Sequence, residues 1–269
     1  MRTTPVRVFN FWIFLVLVGV FVGFKKIINF RSKVSVIPGS YGTKVTRIEN
    51  AITESFIELD ISKGQVQPIL EYLQCRSSLG HKYSKPEILL LHGAAFKKEN
   101  WKESGIIQSL CNDNNSETSR FSSILALDLT VKATGMQFKL VIDSLVESGI
   151  LSGRPLIVIS PSASGKAVLG LSSNVDVPLD SIFHAWVPVA CGAILHANED
   201  VLQKFTRENI PIFGIYGSKD EMGARVSDRL VNLAAAEKKM INGGHPCYLD
   251  SPHDFVQALI GFGNRRSLW

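Results

Sequence analysis

The chain has 269 residues, 45% of them hydrophobic, which is enough to bury a full core as one large domain or two small ones. Its net charge of +5 is unevenly placed: the first fifty residues hold eight basic groups against one acid, Glu49, leaving 21 basic and 23 acidic residues in the body. A slightly acidic body removes the usual electrostatic case for nucleic-acid binding.

The first element is the apolar run 8–24, "VFNFWIFLVLVGVFVGF", bounded by Arg7 and Lys25-Lys26. It predicts an uncleaved transmembrane signal-anchor with snorkelling lysines, close to the ~20 residues that span a bilayer. A cleaved signal peptide is disfavoured because no small-x-small cleavage site follows the run. The expected localisation is therefore a single-pass membrane protein. The side on which the body lies is left open by a small charge bias. Residues 25–50, with Pro38, Gly39 and Gly42, read as a linker, and 51–269 as the folded domain.

Two leading strands, 55–61 and 68–75, pair through Lys63-Gly64. Five nearly continuous apolar runs follow, at 87–93, 122–129, 155–160, 183–190 and 211–217. Strands apolar on both faces belong to a parallel sheet covered on both sides, and the gaps hold helices predicted at 100–111, 136–149, 164–172, 223–236 and 252–262. This alternation predicts one doubly wound, mostly parallel α/β domain whose ligands bind beyond the C-terminal strand ends. The polar segment 111–120 contains the sequon Asn114-Asn115-Ser116, a candidate glycosylation site if the body faces a lumen. Cys75, Cys111, Cys191 and Cys247 are scattered without a C-x-x-C pair, so buried thiols are expected.

The strand "PLIVIS" runs into Pro161-Ser162-Ala163-Ser164-Gly165-Lys166. A phosphate loop aligned on Gly165-Lys166 fails at both defining positions, with Ser160 for its first glycine and Ala167 for its hydroxyl. A nucleophile elbow requires small residues two before and two after the serine, and Ser160 and Ser164 supply them around Ser162. A serine needs a base to take its proton and a carboxylate to orient that base. Asp220 follows the strand "PIFGIYG", and His245 follows in "MINGGHPCYLD", which is the hydrolase order of acid and base. Backbone N–H groups of Ala94 and Ala163 are the candidates for an oxyanion hole. Each residue also has a structural alternative: Asp220 as a helix cap, His245 as a loop histidine, His92 as a turn-stabilising residue. Cys247 stands on no elbow and is set aside as a nucleophile.

With those residues in place, "LLLHG", "VISPSASG", "VPVA", "YGSKDEMG" and above all "GGHPCYLDSP" resemble the α/β-hydrolase domain-containing protein 14 family, and the N-terminal apolar run 8–24 resembles the anchor of its membrane-bound branch. The resemblance spans residues 87–252. It implies an α/β-hydrolase fold in which Ser162 is the nucleophile, Asp220 the acid and His245 the base, acting on short acyl groups. Where relatives carry a glycine-rich loop, this chain has "LDLTVKATGMQ", so the pocket wall near 129–136 is expected to differ.

The functional expectation is a serine hydrolase cleaving short-chain acyl esters or amides. Only residues 191–210 separate two strands, too few for a large lid. No cofactor or metal is expected, although a thiol such as coenzyme A is a candidate acyl acceptor. The partners expected are a small acyl substrate or an acylated protein, and the membrane through the anchor. The competing class is a catalytically silent hydrolase fold serving as an interaction module.

Overall fold

The apolar runs collect into one eight-stranded sheet in the order β1-β2-β4-β3-β5-β6-β7-β8. In the computed structural model the described residues are 52–59, 62, 64, 67–76, 85–111 and 120–269. The strands are β1 (Thr53–Glu58), β2 (Ile69–Arg76), β3 (Glu87–Leu90), β4 (Ser123–Leu127), β5 (Leu156–Pro161), β6 (Phe183–Val189), β7 (Phe213–Gly217) and β8 (Glu237–Ile241). The leading pair β1/β2 and the joint β2/β4 are antiparallel, and every later pairing is parallel. This is an α/β-hydrolase fold with a mostly parallel sheet.

The helices are α1 (Lys98–Glu103), α2 (Ile106–Cys111), α3 (Gly135–Glu147), α4 (Gly165–Ser172), α5 (Glu199–Arg207), α6 (Glu221–Ala234), α7 (Cys247–Asp250) and α8 (Pro252–Arg266). They cover both faces of the sheet. On one face Phe138, Val141, Val168, Leu202, Phe205, Val226 and Leu230 pack against Leu89, Val158 and Trp186. On the other, Trp101, Ile107, Phe255, Leu259 and Phe262 pack against Ile88, Leu90, Ile157 and Ile159. Alternate residues of β3 and β5 thus serve opposite cores, which is why those strands read as unbroken apolar runs.

Three elements depart from the sequence-based reading. The helix expected over 100–111 breaks at Ser104-Gly105, where Gly105 has φ +77° and returns the chain as α2. The segment 191–210 contains α5, which is a crossover helix: Leu202 and Phe205 are buried, and the Phe205 ring stacks on Trp186 at 4.8 Å. Strand β8 is mostly solvent-exposed, so its sequence EKKMI carries no apolar run.

The expectation of four buried thiols is corrected for two of them. Cys75 on β2 and Cys111 at the end of α2 form a disulfide, with Cα atoms 6.5 Å apart and a sequence separation of 36. The fold brings together residues that no short-range motif links, and closing a loop of that length stabilises by on the order of 3–4 kcal/mol through chain entropy.

The expectation of a single-pass membrane protein is also corrected. The run 8–24 and the linker 25–50 lie outside the described residues, as does Asn114. Among the described residues no helix is long and apolar enough to cross a membrane. The physical reason is length and charge: α8, at 15 residues, carries Asp254, Arg265 and Arg266, whereas a span needs about 20 apolar residues.

The start of α1 is pinned by a buried lysine. The Lys98 side chain is 1% exposed, and its ammonium meets Glu54 of β1 at 3.3 Å, Glu71 of β2 at 2.8 Å and its neighbour Glu99. Burial alone would lower the Lys98 pKa, but the hydrogen bonds that its ammonium donates to Glu71, Glu99 and Glu54 more than reverse this and raise it above the usual lysine range. Burial alone would likewise raise the Glu99 carboxyl, yet Lys98 holds it below the usual carboxylate range. The Glu99 contribution to stability is present above the ordinary glutamate pKa and is lost as pH falls through the lower folded value. The Lys98 contribution is present below the ordinary lysine pKa and is lost as pH rises through the raised one. Lys98→Met is expected to lower unfolding stability by about 2 kcal/mol at pH 7. Chemical denaturation of the two proteins should show the gap closing under acid as the glutamates become protonated.

Candidate functional site

Strand β5 ends at Pro161, and Ser162 turns the chain sharply into a short 3-10 turn, Ser162–Ser164, and then α4. Ser162 has φ +51°, in the left-handed region that a residue with a Cβ occupies at a cost of about 1 kcal/mol or more. Ser164 Oγ donates to the Pro161 carbonyl at 2.8 Å and closes the turn. Ser160, the small residue two before, is fully buried and accepts a hydrogen bond from Trp186 Nε1 at 2.8 Å. A Cβ on Gly165 would lie 2.3 Å from Cys191 Sγ, so the start of α4 fits against the end of β6 only with glycine there.

Asp220 follows β7 and caps α6: its Oδ1 accepts from the Gly223 N–H at 3.0 Å. Its other oxygen, Oδ2, faces His245 Nδ1 at 2.8 Å. The cap and the histidine contact coexist because a carboxylate offers two oxygens. His245 Nε2 in turn faces Ser162 Oγ at 2.9 Å. A carboxylate only accepts, so Nδ1 carries the proton and Nε2 is left to accept from the Ser162 hydroxyl, an assignment made from the partners. Asp220 is 8% exposed and His245 39%, which shields the acid while leaving the base open to a reactant.

The acid and base turns are fitted to each other through backbone. Ser218 N–H donates to Ile241 O at 2.8 Å and Lys219 N–H to Gly243 O at 2.9 Å. A Cβ on Gly217 would lie 2.0 Å from the Gly244 carbonyl oxygen, so no side chain can enter this approach. Asp250 Oδ2 accepts from the Gly244 N–H at 2.7 Å and holds the histidine loop from below. Sequence reasoning assigned Asp250 nothing. Its presence five residues after His245 was the available signal.

The turn after β3 carries Ala94 beside the serine: a Cβ on Gly93 would meet Ser162 Cβ at 3.7 Å. His92 Nδ1 lies 2.9 Å from the Gly93 carbonyl, and its Nε2 lies 3.3 Å from Asp128 Oδ1, which fits the turn-stabilising reading. Trp101 Nε1 donates to Leu91 O at 3.0 Å and ties α1 to the same turn. Ala94 and Ala163 line one open cleft of about 800 Å³, together with Lys166 and residues of the β4–α3 connection. The residues proposed from sequence for the nucleophile, base, acid and oxyanion donors therefore meet at one end of the sheet.

Among the described residues, the carboxylates placed closely enough to hold a metal ion are Glu54, Glu71 and Glu99. The Lys98 ammonium occupies that position. The free cysteines are both buried. Burial pushes the Cys191 thiol up to about 11. Burial, followed by the negative charge of Asp220, pushes Cys247 up to about 12, which leaves it protonated and unreactive beside His245. Iodoacetamide at pH 8 is expected to add to no cysteine of the folded protein, to two after unfolding without reductant and to four after reduction. Intact mass spectrometry reads the count, and two rapid adducts on folded protein would contradict the burial.

No protein-family model matches the chain. Rat ABHD14B, provisionally named a protein-lysine deacylase, is 30% identical over 191 residues, covering 65% of this chain and 81% of that protein. Human ABHD14A is 29% identical over 188 residues, covering 65% of this chain and 63% of that protein. Among solved structures, a Thermoplasma acidophilum hydrolase described as CIB-like aligns with a TM-score of 0.56 at 17% identity, covering 79% of this chain and 97% of that one. The thioesterase domain of the curacin biosynthetic pathway aligns with a TM-score of 0.56 at 12% identity, covering 79% and 100%. The distant structures establish the α/β-hydrolase fold alone, and the nearer sequences establish the family. The chain belongs to the α/β-hydrolase domain-containing protein 14 (ABHD14) family of hydrolases.

Proposed function

We propose that the protein is a serine hydrolase that removes short acyl groups through Ser162, His245 and Asp220. The observation that carries this reading is the continuous line from Asp220 Oδ2 through both ring nitrogens of His245 to Ser162 Oγ, at 2.8 and 2.9 Å. His245 Nε2 takes the hydroxyl proton as Ser162 Oγ attacks the acyl carbonyl, and Asp220 stabilises the imidazolium that forms. The carbonyl oxygen becomes an oxyanion facing the N–H groups of Ala94 and Ala163. Collapse of the tetrahedral intermediate breaks the bond to the leaving group, which takes the proton from His245. Water, deprotonated by His245, then attacks the acyl-serine and releases the acid. A thiol such as coenzyme A would react with the acyl-serine by the same step, making the protein an acyltransferase.

The relative named as a protein-lysine deacylase suggests acylated lysine side chains as substrates, alongside small esters. An open site suits a side chain presented on another protein, because His245 is partly exposed and the β6–β7 connection packs into the core rather than over the site.

A fluorophosphonate probe is expected to label Ser162, and Ser162→Ala to abolish labelling. His245→Ala should retain the fold by circular dichroism while losing at least about a thousandfold in kcat for 4-nitrophenyl acetate. Undiminished labelling of Ser162→Ala would overturn the assignment. Folded wild-type protein without labelling or turnover would leave the interaction-module reading in its place.

A further inference from the structure

We infer that the cleft beside Ser162 selects acyl groups that end in a carboxylate, the half-acyl groups of dicarboxylic acids; this deepens the serine-hydrolase reading and rests on it. The cleft of about 800 Å³ begins at Ala94 and Ala163, where the acyl carbonyl would sit, and continues along Val131, Ala133 and Met136. Two cations, Lys132 and Lys166, complete it, and among the described residues no acidic side chain lines it. Both lysines are exposed. Among the described residues neither has a carboxylate partner within ion-pair distance, unlike Lys98, Lys139, Lys204 and Lys238. An apolar stretch next to the reacting carbonyl followed by two unpaired ammonium groups is complementary to a short methylene chain ending in a negative charge.

The cleft lies on the acyl side rather than the leaving-group side. His245 Nε2 must reach the departing atom to protonate it, so the leaving group occupies the side of Ser162 formed by the histidine and acid loops. No residue of 217–223 or 243–250 lines the cleft. Its walls come instead from the turn after β3, the β4–α3 connection and the first two turns of α4. Lys166 stands four residues beyond Ser162 on α4, and Lys132 approaches from the connection. The two charges therefore come from separate elements that both line the cleft.

The test compares 4-nitrophenyl hydrogen adipate, which carries a free carboxylate, with methyl 4-nitrophenyl adipate, its neutral equivalent of the same chain length and leaving group. Wild-type protein is expected to favour the anionic ester in kcat/KM by roughly fivefold at low salt, the scale of two solvent-exposed ion pairs, and to lose the preference in 0.5 M NaCl. Lys132→Met with Lys166→Met should bring the ratio to about one, and Lys132→Glu with Lys166→Glu should invert it. A third substrate, 4-acetoxybenzenesulfonate, places the charge on the leaving group. Lysine dependence confined to that substrate would overturn the inference and move the anion to the other side. Equal hydrolysis of both adipates by wild type, abolished in Ser162→Ala, would overturn the charge selection while leaving the hydrolase reading standing. Absence of Ser162-dependent turnover for every ester would overturn both.

Discussion

The site depends on one backbone constraint, the left-handed turn at Ser162. At φ +51° a serine pays for its own Cβ, and the conformation persists only because its surroundings leave no alternative. Strand β5 is held on both sides by parallel partners, so its end cannot shift. The next helix begins at Gly165, pressed against Cys191, so the chain must turn within three residues. A softer turn would lower Ser162 into the sheet and away from His245. The strain is thus the means by which the hydroxyl is lifted above the strand ends, and the buried Ser160–Trp186 hydrogen bond anchors the strand beneath it.

The acid and the base are set by a different kind of contact. The His245 side chain is 39% exposed, so packing alone does not fix it, and β8 is an edge strand largely exposed to solvent. Backbone-to-backbone hydrogen bonds join the two turns instead, and Gly217 allows them to approach without an intervening side chain. The Asp220 side chain then takes part in two networks at once, capping α6 with one oxygen and meeting His245 with the other. Moving α6 would therefore move the histidine partner. Helix packing is coupled to the electrostatics of the site through that one carboxylate.

Much of this was legible in the chain because the central strands are apolar on both faces. The runs around Ile88, Leu125, Val158, Val187 and Ile215 announce themselves without knowledge of their neighbours, and the polar residues that end them, Ser162 and Asp220, stand out by contrast. Features that depend on partners distant in sequence were not legible. EKKMI reads as a charged surface segment because β8 pairs along one edge only. The helix α5 hides among charges because Leu202 and Phe205 are its principal buried apolar contacts. Cys75 and Cys111 have ordinary surroundings in sequence and meet only when α2 packs over β2. Lys98 looks like one more surface lysine until the β1–β2 hairpin brings Glu54 and Glu71 to it. The apolar run 8–24 stands out in the sequence just as clearly, but it lies outside the described residues, among which no helix is long and apolar enough to cross a membrane.

The two sides of Ser162 are built under unequal constraint, and this bears on how selectivity can change. On the His245 side, Gly217, Gly243 and Asp250 leave little room: a Cβ on Gly243 would come within 2.7 Å of Asp250, in a backbone conformation with φ +135° that already resists other residues. Side chains cannot vary there without displacing the base. On the other side the wall is the connection between β4 and α3, where Val131 and Lys132 face an open cleft and Thr134 independently caps α3. Its side chains can change in size or charge while the capping box between Thr134 and Gln137 keeps the helix start in place. This is also where the sequence departs from the glycine-rich loop that its resemblance to the family implies. In the proposed mechanism the base and acid lie on the constrained side, and the proposed recognition of the acyl group lies on the open one. Substrate differences among such proteins should therefore follow the β4–α3 connection rather than the residues around His245.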